Sequence, residues 1–225
     1  VGSTIEKVEV SINGIAPSLF AENDNVYMTF ASGDSIQYCL LNDKGKKFSA
    51  PMFVAVLPKL GVGGGRGPQI IAVKGRLMIA AVNDNSNTYT FTKNEQAINR
   101  EKMGRINDVP DIAKEGFVSL AANNRGEIYA VRLDLRTDKR NKIVGAMSRN
   151  GGRTWLKNKI VYMSPDSTVC ECCKPSVEMK DQLLVIMFRN FVNGNRDLHI
   201  IQSADGGLNF GEARKLGDGS WKLNG

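Results

Sequence analysis

Ser148-Arg149-Asn150-Gly151-Gly152-Arg153-Thr154-Trp155 and Ser203-Ala204-Asp205-Gly206-Gly207-Leu208-Asn209-Phe210 share one pattern, Ser-x-Asp/Asn-x-Gly-x-x-aromatic, and start 55 residues apart. A period of that length marks a stacked supersecondary unit. Two earlier copies follow at similar steps. Thr92-Lys93-Asn94-Glu95-Gln96-Ala97-Ile98-Asn99 begins 56 residues before Ser148, and Leu41-Asn42-Asp43-Lys44-Gly45-Lys46-Lys47-Phe48 begins 51 residues before Thr92. The Leu41 copy keeps Asp43, Gly45 and Phe48, whereas the Thr92 copy is worn. Within the box, the Asp or Asn side chain can accept hydrogen bonds from nearby backbone N–H groups. The glycines can take positive φ, and the aromatic can pack under the turn. These are folding roles, and the box carries no chemistry.

The segments around each box repeat as well. A strand opens at Pro17-Ser18-Leu19, Pro68-Gln69-Ile70, Phe117-Val118-Ser119 and Pro175-Ser176-Val177. Turns follow at Asn23-Asp24-Asn25, Lys74-Gly75, Asn123-Asn124-Arg125-Gly126 and Lys180-Asp181. A second strand covers Val26 to Phe30, Leu77 to Val82, Ile128 to Leu133 and Leu183 to Phe188. The third strand runs into the box, as at Ile143 to Met147 and Leu198 to Gln202, and a fourth leaves it, as at Met52 to Val56 and Lys159 to Met163. Short Val/Ile/Tyr/Phe-rich runs between Gly, Asn and Asp clusters, with almost no helical periodicity, make the chain all-β. Four antiparallel strands per unit of about fifty residues describe a β-propeller blade. The blades fall at about 15–64, 65–114, 115–168 and 169–225, in a single domain spanning 1–225.

Composition fits a packed globular chain: 42% of the 225 residues are hydrophobic and 24% charged, with a net charge of +7. The basic residues are scattered, with one cluster at Lys44 to Lys47, so no nucleic-acid footprint is expected. The excess charge reads first as a solvated basic surface, and otherwise as a preference for an acidic small-molecule ligand such as an acidic sugar. No apolar run reaches the roughly 18 residues of a membrane span, and Val1-Gly2-Ser3-Thr4 shows no signal-peptide core. Neither oligomeric state nor cofactor is legible.

The Ser148 and Ser203 boxes resemble the Asp-box, or BNR, motif of bacterial sialidases and related propellers, and through the repeat the resemblance covers the whole chain. Cys170-Glu171-Cys172-Cys173-Lys174-Pro175, with Arg196-Asp197, resembles uncharacterised exported bacterial BNR-repeat proteins. The resemblance implies a sialidase-like propeller of a secreted, periplasmic or surface protein, an exo-glycosidase that acts on or binds acidic glycans; the alternative is a non-catalytic propeller whose face binds protein or glycan. Sialidases have six blades, and four are visible here before Trp221-Lys222-Leu223-Asn224-Gly225. The chain therefore reads as part of a larger propeller, or as a four-bladed ring closed by an outer strand at Val8 to Ile12.

In a propeller the loop leading into each first strand and the loop joining strands two and three share one face, opposite the boxes. A ligand site is expected there. The leading loops supply Arg66, Glu115, Glu171, the cysteines and Lys174. The second-to-third loops supply Asp34, Asp84, Arg132, Arg136, Arg189, Arg196 and Asp197. Sialidases, as the resemblance implies, clamp the sugar carboxylate with three arginines, use an Asp as acid/base, and use a Tyr nucleophile activated by Glu. Arg66, before Pro68, and Asp84 occupy the positions of the first family arginine and the Asp, and Gly63-Gly64-Gly65 leaves room for a ligand. Gly67 stands where the family has a large residue. Arg132, Arg189 and Arg196 complete the expected substrate-binding set, with Asp84 catalytic, although each arginine equally fits a surface or inter-blade ion pair.

Tyr27, Tyr38, Tyr89, Tyr129 and Tyr162 lie in strand patterns that assign them to packing, and His199 has no catalytic partner in sequence. Cys170, Cys172 and Cys173 allow a disulfide, the first reading in an exported protein. They also allow a soft-metal site for Cu(I) or Zn(II), or a reactive thiol. Cys39, inside a strand, is expected buried and inert.

Overall fold

The computed structural model describes residues 10, 13–42, 47–94, 101–165 and 167–217. The proposed closing strand at Val8 to Ile12, the hearts of the Leu41 and Thr92 boxes, and the segment from Trp221 lie outside the described residues, Val10 excepted.

All described secondary structure is β. The first sheet contains β1 (Ile15–Glu22), β2 (Asn25–Ser32), β3 (Ser35–Asn42), β4 (Lys47–Phe48) and β5 (Met52–Val56). The second contains β6 (Gln69–Val73), β7 (Arg76–Val82), β8 (Thr88–Asn94) and β9 (Glu101–Arg105). The third is β10 (Val118–Ala122), β11 (Ile128–Asp134), β12 (Lys142–Ser148) and β13 (Lys159–Tyr162). The fourth holds β14 (Thr168–Val169), β15 (Ser176–Lys180), β16 (Leu183–Val192), β17 (Asn195–Ser203) and β18 (Arg214–Lys215). Each sheet is an antiparallel meander of four consecutive strands, to which β4 and β14 add short flanking pairs. The chain is a β-propeller of four-stranded antiparallel blades.

The core lies between blades. Tyr27, Ile36 and Val54 of the first blade pack against Ile70, Leu77, Ile79 and Phe91 of the second. Ile71, Met78, Ala80 and Val82 of the second meet Val118, Ile128, Ala130 and Ala146 of the third. Tyr129, Val131, Leu133 and Ile143 of the third meet Val177, Leu184, Ile186 and Phe188 of the fourth. The inner blades are covered on both faces, so β7 and β11 are largely apolar, β7 buried from Leu77 on and β11 along its whole length. In the flanking blades β1 and β15 alternate between covered and exposed residues. Each large side chain so buried contributes roughly 1.5–3 kcal/mol.

The two intact boxes are wired alike. Ser148 Oγ and Ser203 Oγ each accept the backbone N–H four residues on, from Gly152 and Gly207, both at 2.8 Å. Asn150 Oδ1 accepts Thr154 N–H at 2.9 Å, and Asp205 Oδ1 accepts Leu208 and Asn209 N–H at 3.0 and 2.8 Å. Hydrogen bonds to the Asp205 carboxyl hold it down at about 2, the Asn209 backbone bond foremost. The box aromatics plug the seam to the preceding blade. Trp155 packs on Ile71, Val73 and Met78, and the Phe210 ring centroid lies 6.2 Å from that of Tyr129. The second box glycine reaches the same seam: a Cβ on Gly152 would strike Met78, and one on Gly207 would strike the Tyr129 ring. Both glycines also hold φ near +85° (84 and 86).

Candidate functional site

The leading loops and the second-to-third loops lie on the face away from the boxes, and two adjoining clefts open there. The first has a volume of about 360 Å³ and is walled by Ser18, Gly64, Arg66, Gln69 and Lys174, drawn from the first, second and fourth blades. The second, about 540 Å³, is walled by Cys173, Lys174, Arg189, Arg196, Asp197 and Leu198 of the fourth blade. Lys174 belongs to both walls. Its Nζ donates to Gln69 Oε1 at 2.5 Å, joining the fourth blade to the second, and burial pulls its ammonium pKa below the ordinary lysine value. Ser18 Oγ donates to the same Gln69 oxygen at 3.3 Å. Sequence reasoning placed Lys174 on this face without a role and missed Gln69, because only folding brings residues 105 positions apart together.

Arg66 is held from below. Its Nε donates to the Glu115 carbonyl at 2.6 Å, its Nη2 lies 4.0 Å from the Glu115 carboxylate, and its guanidinium stacks over the Phe117 ring, 5.0 Å from the centroid. That leaves about a third of the side chain (36%) open to the first cleft. Gly67 has φ +143°, and a Cβ there would meet Ala16 of the first blade. Both the backbone angle and the contact with Ala16 exclude a side chain at this position.

Arg189 and Arg196 come together on β16 and β17. Arg189 Nε donates to the Arg196 carbonyl at 3.0 Å, and Arg196 lies over the Phe191 ring at 5.5 Å. Each also points an Nη1 at a sulfur: Arg189 to Cys173 at 3.6 Å and Arg196 to Cys172 at 4.0 Å. Cys170, Cys172 and Cys173 form a triangle of sulfurs 3.3, 3.4 and 3.7 Å on a side. Cys170 is buried and its thiol is pushed up to about 12, chiefly by desolvation. At Cys173 burial pushes the same way, but hydrogen bonds, first that of Arg189, outweigh it and bring the thiol below its ordinary value.

Two predicted site residues stand elsewhere. Arg132 is 1% exposed. Alternation along β11 turns it into the seam between the second and third blades, away from both clefts. There its Nη2 donates to Asp134 Oδ2 at 2.9 Å and to Asn158 Oδ1. Arg136 bridges Asp134 and Asp108 in the same network, at 2.8 and 2.9 Å. Desolvation pulls the Arg132 guanidinium down to about 10. Asp84 lies on the β7–β8 loop, lines neither cleft, and pairs with Lys59 at 3.1 Å in an exposed ion pair.

The side chains assigned to packing do pack. Tyr27, Tyr38 and Tyr129 are buried, and Tyr89 and Tyr162 lie against the inter-blade clusters. His199 stacks on Phe188 with centroids 5.9 Å apart. Cys39 is wholly buried, and burial raises its thiol pKa.

A propeller with a cationic cleft between its leading loops is the class that fold and site define. No family model matches the chain, and no curated protein matches it. Solved structures share its fold. A protein of unknown function from Dyadobacter fermentans is 15% identical over 92% of this chain and 70% of its own, with a TM-score of 0.64. An ulvan lyase, described as bound to -[GlcA(1-4)Rha3S]-, is 11% identical over 90% of this chain and 56% of its own, with a TM-score of 0.60. A variant of the NanB sialidase of Streptococcus pneumoniae is 15% identical over 78% of this chain and 27% of its own, with a TM-score of 0.54. The chain spans between 27% and 70% of the length of these neighbours. At such identities the likeness is one of fold, and because it reaches a lyase as well as a sialidase it does not single out sialidases.

Proposed function

We propose that this propeller binds acidic glycans, taking the carboxylate or sulfate of a sugar in the paired clefts around Lys174. The observation that carries the reading is the placement of Lys174: a half-buried ammonium on the wall shared by two clefts, with Arg66 on one side and Arg189 and Arg196 on the other. A partly desolvated cation flanked by guanidinium groups favours a compact anion. The sugar-active neighbours of the same fold, one of them described with a glucuronate-containing saccharide, support the glycan half of the reading.

Binding is favoured over hydrolysis by the carboxylates. Among the described residues the two clefts contain one, Asp197, and Lys215 pairs with it at 2.9 Å. Glycoside hydrolysis by paired carboxylates needs two at a defined separation. Calorimetry with a glucuronate-containing oligosaccharide and a neutral arabino-oligosaccharide of equal length tests the reading. The acidic sugar should bind at least tenfold more tightly, with the preference lost in Arg66→Ala and in Lys174→Met. Equal affinity for the two sugars overturns it. Release of product from a fluorogenic sialoside, abolished by Arg66→Ala, would shift the assignment from binding to catalysis.

A further inference from the structure

We propose that Cys170, Cys172 and Cys173 form a three-sulfur site for a soft monovalent ion, Cu(I), on the wall of the larger cleft. The three sulfurs lie on one turn, 3.3 to 3.7 Å apart, and a single ion can reach all of them. Metal–sulfur bonds of about 2.3 Å separate thiolates by about 3.8 Å in a tetrahedron and about 4.0 Å in a trigonal plane. The triangle is thus closed to within roughly half an ångström of a ligand set. It is held from both ends: on the N-terminal side β14 pairs with β16 and the Cys170 N–H donates to the Arg189 carbonyl at 2.9 Å, and on the C-terminal side β15 pairs with β16 from Ser176.

Ligand number and charge choose the ion. Thiolates select soft ions, Cu(I) and Zn(II) among them, and a structural zinc takes four ligands. Among the described residues the metal-ligating group consists of these three cysteines alone. The guanidinium groups of Arg189 and Arg196 reach two of these sulfurs, at 3.6 and 4.0 Å, and have donors but no lone pair to offer a metal. Three thiolates around Cu(I) carry a net charge of −2, which two arginines balance. The same thiolates around Zn(II) carry −1 and would leave the site cationic. Arginine N–H groups directed at sulfur are outer-shell donors of the kind that stabilise a thiolate-bound metal. Binding releases the thiol protons to solvent as three Cu–S bonds form, with no change of oxidation state. Cys172 is exposed and Cys173 borders the larger cleft, so the ion has a path in.

The test uses the chain reduced and handled without oxygen, free of saccharide so that its result is independent of the glycan reading. Titration with Cu(I) against a chromogenic Cu(I) chelator should withdraw one equivalent of copper. X-ray absorption of the product should show three sulfur neighbours. Cys172→Ser, at an exposed position that does not threaten folding, should weaken Cu(I) binding at least tenfold, while Cys39→Ser should leave it unchanged. Copper held entirely by the chelator, equal binding by wild type and Cys172→Ser, or zinc displacing bound Cu(I) at equal concentration each overturns the proposal.

Discussion

Asp205 and Asn150 fill the same place in two boxes, and the difference between a carboxylate and an amide there has a measurable consequence. The Asp205 carboxyl is held at about 2 by hydrogen bonds that only its ionised form accepts fully. A carboxyl whose pKa is depressed on folding adds stability above its unfolded pKa and loses it as pH falls through the folded one. The Asp205 contribution should therefore fade between about pH 4, where an unfolded Asp titrates, and about pH 2. Asp205→Asn, which copies the Asn150 arrangement, should lack that window in urea unfolding followed against pH. Arg132 gives a second test at this scale. Removing Asp134 leaves a buried guanidinium without its carboxylate, so Asp134→Ala should lower unfolding free energy by about 3–5 kcal/mol. Arg132→Met combined with Asp134→Ala should cost less than Asp134→Ala alone. A double variant no more stable than the single would remove the buried charge as the cause.

At the scale of the element, the box turn couples one blade to the one before it. Gly152 and Gly207 combine left-handed backbone with close approach to Met78 and Tyr129 across the seam. Gly207→Ala therefore meets two penalties, strain at φ and a clash with a buried ring, and should destabilise by about 2 kcal/mol, read as a fall in the thermal midpoint. Gly33, also at positive φ but with open space around its Cβ position, should lose only the backbone part under the same substitution. The turns and box spacings were visible in sequence because Gly, Asn and Asp act locally, through their own backbone angles and hydrogen bonds to residues two to four away. Strand membership was visible for a similar reason, since Leu184, Ile186 and Phe188 alternate while β11 is apolar from Ile128 to Val131.

Over the whole molecule the decisive contact is the one from Lys174 to Gln69, which ties the fourth blade to the second and gives the clefts a common wall. The cost of desolvating the partly buried Lys174 ammonium offsets its hydrogen bond to Gln69 in the stability of the fold. Lys174→Met should leave the thermal midpoint unchanged or raised while abolishing the preference for acidic sugar. In the wild type that preference should shrink as salt is raised from 50 to about 500 mM, because screening acts on the open cationic cleft. A salt-independent preference would point to recognition through uncharged groups. The architecture was set by the sequence itself: a unit of about fifty residues, four strands each, with a box to turn the third into the fourth, because these depend on local backbone preference and on period-two burial. Which arginines line the clefts depended on the tertiary structure alone. Arg132, Arg189 and Arg196 look alike in sequence, but one residue of register on β11 turns Arg132 into a blade seam, while packing between blades 105 residues apart in Gln69 and Lys174 builds the cleft.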